Sequence, residues 1–244
     1  MSSFFPVAAA GHAAAIDGEM MAIHGLMAML FMGWCMYLAW VIFRFRAGNQ
    51  PEPLPVAAKG TVAVAVTGGV VVFEAVMLVF VALPMWRARI TAPPPAPNAV
   101  AVRVVAQQYQ WNFHYPGADG QFGDTRPALV TAENPVGLDR TSPHAEDDIV
   151  APIFHVPINR QVVVQLTSKD VIHSFGLPNF RIKQDVVPGM VATVWFTPTL
   201  LGQFDIACSQ ICGVGHYQMR GIVQVDTEEA YTQFLADEAA LIVK

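Results

Sequence analysis

The chain has little charge: Asp, Glu, Lys and Arg make up 14% of its 244 residues, while apolar types make up 54%. With a net charge of −5 at pH 7 it lacks the basic surface that binds nucleic acid, and no such partner is expected. Cysteine is scarce too, three in all, and no Cys-x-x-Cys-His occurs, which excludes a fused domain carrying covalently attached haem. The paired short knuckles of structural zinc sites are likewise missing. No Lys or Arg precedes the first long apolar run, so cleavage of a signal segment is not expected. The length is too small for a multi-domain enzyme with its own large substrate site, yet sufficient for membrane spans and one small domain.

What the chain does have is apolar residues, concentrated in two runs. Met20 to Phe43 is an uncharged stretch of 24 residues, ~36 Å long as a helix against a ~30 Å hydrocarbon core. Thr61 to Trp86 is the second, interrupted only by Glu74. Residues 1–90 therefore read as an N-terminal tail and a transmembrane hairpin, with spans at about 20–43 and 61–86. The connection carries Arg44, Arg46 and Lys59, whereas residues 1–19 carry Asp17 and Glu19 and no base. This asymmetry puts the connection in the cytoplasm and both termini outside, with Arg87 and Arg89 counting mildly against it. A carboxyl as deep as Glu74 is costly unless partnered or neutral, so it is expected to serve a proton path or a helix-packing hydrogen bond. Residues 91–97, Thr-Ala-Pro-Pro-Pro-Ala-Pro, read as a stiff extended linker.

From residue 98 to 244 the pattern changes to short β-branched runs separated by Pro, Gly and Asn: 99–106, 161–167, 191–196, 203–207 and 221–225. These predict an antiparallel β-sandwich. Asp226, with Glu229 three residues on, resembles a capping box that opens a terminal helix through about Leu241. The polar, acid-rich stretch 126–152 reads as a surface loop. Residues 98–244 hold nine Lys and Arg against fifteen Asp and Glu, an acidity that would steer a basic partner toward this domain.

The densest chemistry lies in Cys208-Ser-Gln-Ile-Cys212-Gly-Val-Gly-His216-Tyr-Gln-Met219. Thiolate and thioether are soft donors and imidazole is borderline, so the set selects copper over cations that want oxygen. Two thiolates can bridge two copper ions, and a bridged pair sharing one unpaired electron changes redox state with little ligand movement. Electron transfer is the expected job. A disulfide between Cys208 and Cys212 and a zinc site are the competing readings; zinc leaves Met219 without a role. A further histidine should come from upstream, and His173 in Asp170-Val-Ile-His-Ser-Phe is the natural choice, while His12, His24, His114, His144 and His155 have no comparable company.

Together the Cys208–Met219 loop, Asp170-Val-Ile-His173-Ser-Phe, Lys183-Gln-Asp185-Val-Val-Pro188-Gly189 and the aromatic segment Gln107-Gln-Tyr-Gln-Trp-Asn-Phe-His-Tyr115 resemble subunit II of the haem-copper terminal oxidases. The resemblance implies a cupredoxin-like fold for the sandwich. It further implies that Cys208 and Cys212 bridge two coppers, with His173, His216, Met219 and the carbonyl of Gln210 completing the coordination. The implied function is that of the electron-input subunit of a proton-translocating cytochrome c oxidase. Electrons would pass from cytochrome c or a similar basic carrier through the copper pair to haem in subunit I, where oxygen is reduced. The implied partners are subunit I, met through Lys183 and Asp185, the other oxidase subunits and the lipid. The implied place is a prokaryotic plasma (inner) membrane, with the copper domain on the periplasmic or outer face. Alternatives are the same module in a copper-containing nitric oxide reductase and, from another class, a membrane-tethered copper-delivery protein with exposed ligands.

Three departures from the family pattern bear on function. Tyr109 stands where relatives carry the tryptophan that receives electrons, with Trp111 at the second aromatic position. Gln210 replaces a glutamate whose carboxylate reaches magnesium at the boundary with subunit I, so that site is expected to be weakened. Thr67 stands where relatives place a glutamate at a proton channel, and Glu74 lies seven residues further along.

Overall fold

The computed structural model describes residues 5–49, 56–90, 93, 94 and 96–242, in two units: residues 15–92, and residues up to 14 together with 93 onward. In the linker 91–97, residues 91, 92 and 95 lie outside the described residues.

The first unit is helical. Helix α1 (Ala13–Arg44) begins seven residues before Met20, and α2 (Val56–Met77) runs through a π-helical turn at Leu78–Ala82 into α3 (Leu83–Ile90). The π turn has a local cause. Pro84 has no N–H to give to Phe80, and the ladder widens just ahead of it, with the Leu83 N–H donating to the Leu78 carbonyl. Phe31, Trp34 and Leu38 on α1 are each more than half exposed. Helices apolar all round are stable when lipid or protein covers them, and both are long and apolar enough to cross a membrane.

The second unit is a sandwich of two five-stranded sheets. One has the order β3-β2-β1-β5-β8, built from β1 (Val100–Gln107), β2 (Gln110–Tyr115), β3 (Ile149–Ala151), β5 (Val162–Ser168) and β8 (Ala192–Phe196). The other has the order β4-β10-β9-β6-β7, from β4 (Phe154–Pro157), β6 (His173–Leu177), β7 (Ile182–Val186), β9 (Gly202–Cys208) and β10 (Arg220–Asp226). The period-2 burial along β1 and β5 turns Val102, Val104, Val162, Val164 and Leu166 inward. They meet Phe154, Phe175, Leu177, Ile206 and Val223 of the facing sheet. Phe113 stacks on Phe154 at 5.0 Å, Phe154 meets Phe175 at 6.2 Å, and Phe175 meets Trp111 at 5.4 Å, an aromatic column leading to the Cys208–Met219 loop.

Three expectations need correcting. The sandwich is mixed, because β1 runs parallel to β5 and β4 parallel to β10. Strands far apart in sequence meet here after the chain has crossed between sheets, and such connections permit the same direction. Helix α4 (Glu228–Ile242) is capped one residue later than expected, with the Thr227 hydroxyl accepting the Ala230 N–H at 3.2 Å. Asp226 is otherwise engaged, with His155 at 2.7 Å. The stretch 126–152 is more than a surface loop: Val136, Leu138 and Ala145 are buried with Val105 in a second small core.

The N-terminal tail joins the sandwich. Ala9 donates to the Asn179 carbonyl at 2.8 Å and accepts from Thr199 at 2.9 Å, and Gly11 donates to Thr197 at 3.1 Å. These partners lie where β6 and β8 end, whereas β9 carries the chain from Gly202 to Cys208 at the other end, about 20 Å away for a strand of that length. Because the tail touches the sandwich, both lie on one side of any membrane that the helices cross.

Candidate metal centre

The loop between β9 and β10 is closed at its base by antiparallel pairing, with Arg220 opposite Ala207 and the Cys208 N–H donating to the Met219 carbonyl at 3.2 Å. Cys208 therefore ends a strand and Met219 precedes one, so both are fixed by sheet register. His173 opens β6, two residues before Phe175, which pairs with Cys208. Sheet pairing thus brings a histidine 35 residues upstream beside the first thiol.

The sulfurs and imidazoles converge. Cys208 Sγ and Cys212 Sγ are 3.8 Å apart, His173 Nδ1 lies 3.1 Å from Met219 Sδ and 4.0 Å from Cys208 Sγ, and His216 Nδ1 lies 3.6 Å from Cys212 Sγ. Met219 Sδ is 3.7 Å from Cys212 Sγ, and the Gln210 carbonyl lies 3.1 Å from Cys208 Sγ. His173, Cys208, Cys212 and Met219 are buried; His216 is half-buried. All six sequence-predicted ligand positions therefore gather at one place.

The distances decide between the competing readings. A disulfide needs sulfurs ~2.05 Å apart, so at 3.8 Å these are two thiols. That separation lets one ion touch both, since metal–thiolate bonds of ~2.3 Å reach across anything below ~4.6 Å. A thioether inside the cluster adds a soft donor that favours copper over zinc. Burial, reinforced by the neighbouring Cys208, pushes the Cys212 thiol up to about 11. Without a cation this thiol stays protonated at neutral pH, and a soft cation would take it as the thiolate.

Two residues at this site carried no assigned role in the sequence. Asp170 Oδ1 accepts from His173 Nε2 at 2.8 Å, leaving Nδ1 aimed at the sulfurs, the carboxylate–histidine arrangement typical of metal ligands. Partial burial works against ionisation of Asp170, but the His173 ring and the N–H groups of Gln108 and Val171 outweigh it and hold the carboxyl below its ordinary value. The signal was an acid three residues before the candidate histidine. Gln108 is the second: its N–H donates to Asp170 Oδ2 at 2.7 Å and its side-chain amide donates to the Cys212 carbonyl at 2.6 Å. Nothing local in the sequence marked it.

The other sequence-predicted residues separate. Tyr109, half-buried, covers Gly213 and Gly215 of the metal loop, whereas Trp111 is 3% exposed and lies behind, its ring 6.1 Å from that of His173. Lys183 and Asp185 pair with each other at 3.1 Å on β7, at the edge of the sheet and outside the metal cluster. Glu74 is exposed on α2, in the other unit.

The chain is similar in sequence to known proteins. The family model for the periplasmic domain of cytochrome c oxidase subunit II matches residues 100–226. The alternative cytochrome c oxidase subunit 2 of Bradyrhizobium diazoefficiens is 38% identical over 213 residues, covering 86% of this chain and 75% of that protein. Cytochrome c oxidase subunit 2 of Cereibacter sphaeroides is 35% identical over 149 residues, 56% of this chain and 48% of that protein. The crystal structure of the periplasmic domain of cytochrome oxidase subunit II (CoxB) of Bradyrhizobium japonicum covers 61% of this chain and 98% of its own, at 26% identity and a TM-score of 0.46. The chain thus spans three quarters of the first relative and about half of the second. With the family match reaching over half its length and beginning where its β-sandwich begins, this chain belongs to the cytochrome c oxidase subunit II family, a component of the haem-copper oxidases.

Proposed function

We propose that this chain is the electron-input subunit of a cytochrome c oxidase, and that Cys208, Cys212, His173, His216, Met219 and the Gln210 carbonyl hold a dinuclear copper centre. The observation that carries the reading is the pair of buried thiols 3.8 Å apart, with a thioether and two imidazole nitrogens within about 4 Å of one or other sulfur. A copper pair held by these residues would supply one-electron redox chemistry between a reduced carrier and haem in subunit I. The protein's part is to keep the ligands still. Sheet register fixes Cys208 and Met219, and Asp170 fixes the His173 ring, so little rearranges between redox states.

Burial of the ligands argues against a copper-delivery protein, which would present them to a partner. The Gln210 side chain is exposed and neutral, which leaves a magnesium ion at the boundary with subunit I without its carboxylate. Lys183 and Asp185 on the edge strand suit a contact with subunit I. The acidic domain suits a basic one-electron donor such as cytochrome c, received at Tyr109. Glu74, exposed on α2, suits a proton path or a helix-packing hydrogen bond with subunit I. The setting is a prokaryotic plasma membrane, the sandwich and the N-terminal tail sharing the periplasmic side.

The test is metal analysis with optical and EPR spectra of the purified complex. Two coppers per chain and a mixed-valence signal delocalised over both are expected. A single copper, or zinc that copper cannot displace under reducing conditions, would overturn the reading.

A further inference from the structure

Tyr109 is held against the metal loop by an anchor at Gln108, which is not itself one of the proposed ligands. The β1–β2 hairpin, Gln107 to Gln110, is tied down through Gln108 at both ends of the residue. The main-chain N–H reaches Asp170 Oδ2 at 2.7 Å, and the side-chain Nε2 reaches the Cys212 carbonyl at 2.6 Å. One residue therefore grips the carboxylate behind the ligand His173 and the backbone of the ligand Cys212.

The loop is shaped to receive the next ring. At Gly215 an added Cβ would fall 2.5 Å from Cδ2 of Tyr109, and at Gly213, where φ is +142°, it would fall 2.5 Å from the Tyr109 hydroxyl and 2.6 Å from Gln108 Nε2. Two glycines next to Cys212 and His216 thus let the Tyr109 ring lie on bare backbone. Trp111, with 3% exposure, cannot meet a carrier at the surface.

We infer that Gln108 is a positioning residue for electron input: by clamping its hairpin to Asp170 and Cys212, it holds the Tyr109 ring in contact with Gly213 and Gly215 and so sets the coupling between a docked one-electron carrier and the metal centre. The inference rests on the proposed function. In the step concerned, one electron leaves the reduced carrier, which is oxidised by one unit, and the copper pair is reduced by one unit; no bond forms or breaks. Transfer through contacts depends steeply on placement, and in reactions that need alignment a misplacement of ~1 Å can cost about 100-fold.

The experiment uses the assembled oxidase with Gln108→Ala, which removes the side-chain tie to the Cys212 carbonyl and keeps the main-chain tie to Asp170, reduced anaerobically by cytochrome c over a range of concentrations. The copper spectra and the half-saturating carrier concentration are expected to match the wild type. The limiting rate of copper reduction should fall at least about tenfold. In the full-length chain without copper, hydrogen exchange at the amides of 107–110 should quicken, a readout that needs no turnover. An unchanged limiting rate overturns the inference whatever the exchange shows, and an altered copper spectrum overturns it by making Gln108 part of the ligand scaffold. If Gln108→Ala does not assemble, Gln108→Glu keeps the side chain's size and loses the N–H donor to the Cys212 carbonyl; the same slow reduction supports the inference and a wild-type rate overturns it. A wild-type complex without the two-copper spectrum would refute the underlying reading before any variant is made.

Discussion

Two histidines of the sandwich, His114 and His173, have no exposed surface, and each shares a hydrogen bond with an aspartate. His114 Nε2 lies 2.6 Å from Asp148 Oδ2, and His173 Nε2 lies 2.8 Å from Asp170 Oδ1. The other nitrogen separates them. Nδ1 of His173 faces the thioether of Met219 and the thiol of Cys208, whereas Nδ1 of His114 is buried without a partner. Their carboxylates differ too. Asp148 is fully buried and also accepts the Gly123 N–H at 2.8 Å, stapling the 116–148 segment to β2, while the Asp170 side chain is 31% exposed and spans to Gln108. The same pair is a structural staple where it is sealed on every side. It becomes a ligand mount where the free nitrogen faces sulfur.

The largest expected effect breaks the metal side alone. Cys208→Ser or Cys212→Ser should abolish the two-copper EPR signal while the chain still folds, because a hydroxyl is a poor bridging ligand for copper; survival of the signal would deny the bridge. Next comes the staple. His114→Ala leaves Asp148 Oδ2 buried with the Gly123 N–H and without its imidazole partner, and should destabilise the domain by about 1–3 kcal/mol with copper spectra unchanged. Denaturant unfolding checks the first half of that statement and EPR the second. If His114→Ala instead shifted the copper signal, the division between the two histidines would fail.

Asp170→Ala should act in the opposite sense, lowering copper affinity by about 10- to 100-fold with less effect on stability than His114→Ala. Asp170→Asn, which keeps a carbonyl acceptor for the His173 N–H, should recover most of the affinity in a competitive chelator titration. The pH response also separates the two regions. Burial raises the Cys212 thiol from about 9 to about 11, so the metal-free folded state favours the proton. Its contribution to stability is full below pH ~8.5 and is lost as pH rises toward 11. Copper binding displaces that proton, so affinity should climb with pH over the same interval. A metal-free unfolding curve flat between pH 8 and 11 would contradict the raised thiol. The smallest effect is expected from Met219→Leu, which should retain copper and change its reduction potential, since the thioether is the weak donor of the set.

Much of the architecture could be read from local pattern. The runs at 99–106, 161–167, 191–196, 203–207 and 221–225 correspond to β1, β5, β8, β9 and β10 within about two residues at each end. Strands β2, β3 and β4 lie outside those runs, and so do β6 and β7, although β6 begins at the ligand His173. Their sequences, His-Ser-Phe-Gly-Leu and Ile-Lys-Gln-Asp-Val, hold few β-branched residues. They are strands because β9 offers β6 a free edge and β6 in turn pairs with β7. The small core under the 116–148 segment was missed for a related reason: its apolar residues are scattered among acids and gather only when folded over Val105.

By itself the sequence determined the donor set of the loop and two helices long and apolar enough to cross a membrane. Both are local: the softness of the donors in a twelve-residue loop favours copper, and long apolar runs favour lipid. Only the tertiary structure decided how His173 is mounted beside the sulfurs, which aromatic ring lies on the loop and which lies behind it, and which residue clamps that ring. Those choices join positions far apart in the chain, 46 residues between His173 and Met219 and 104 between Gln108 and Cys212. Strand register and close packing set such distances, and no local periodicity encodes them.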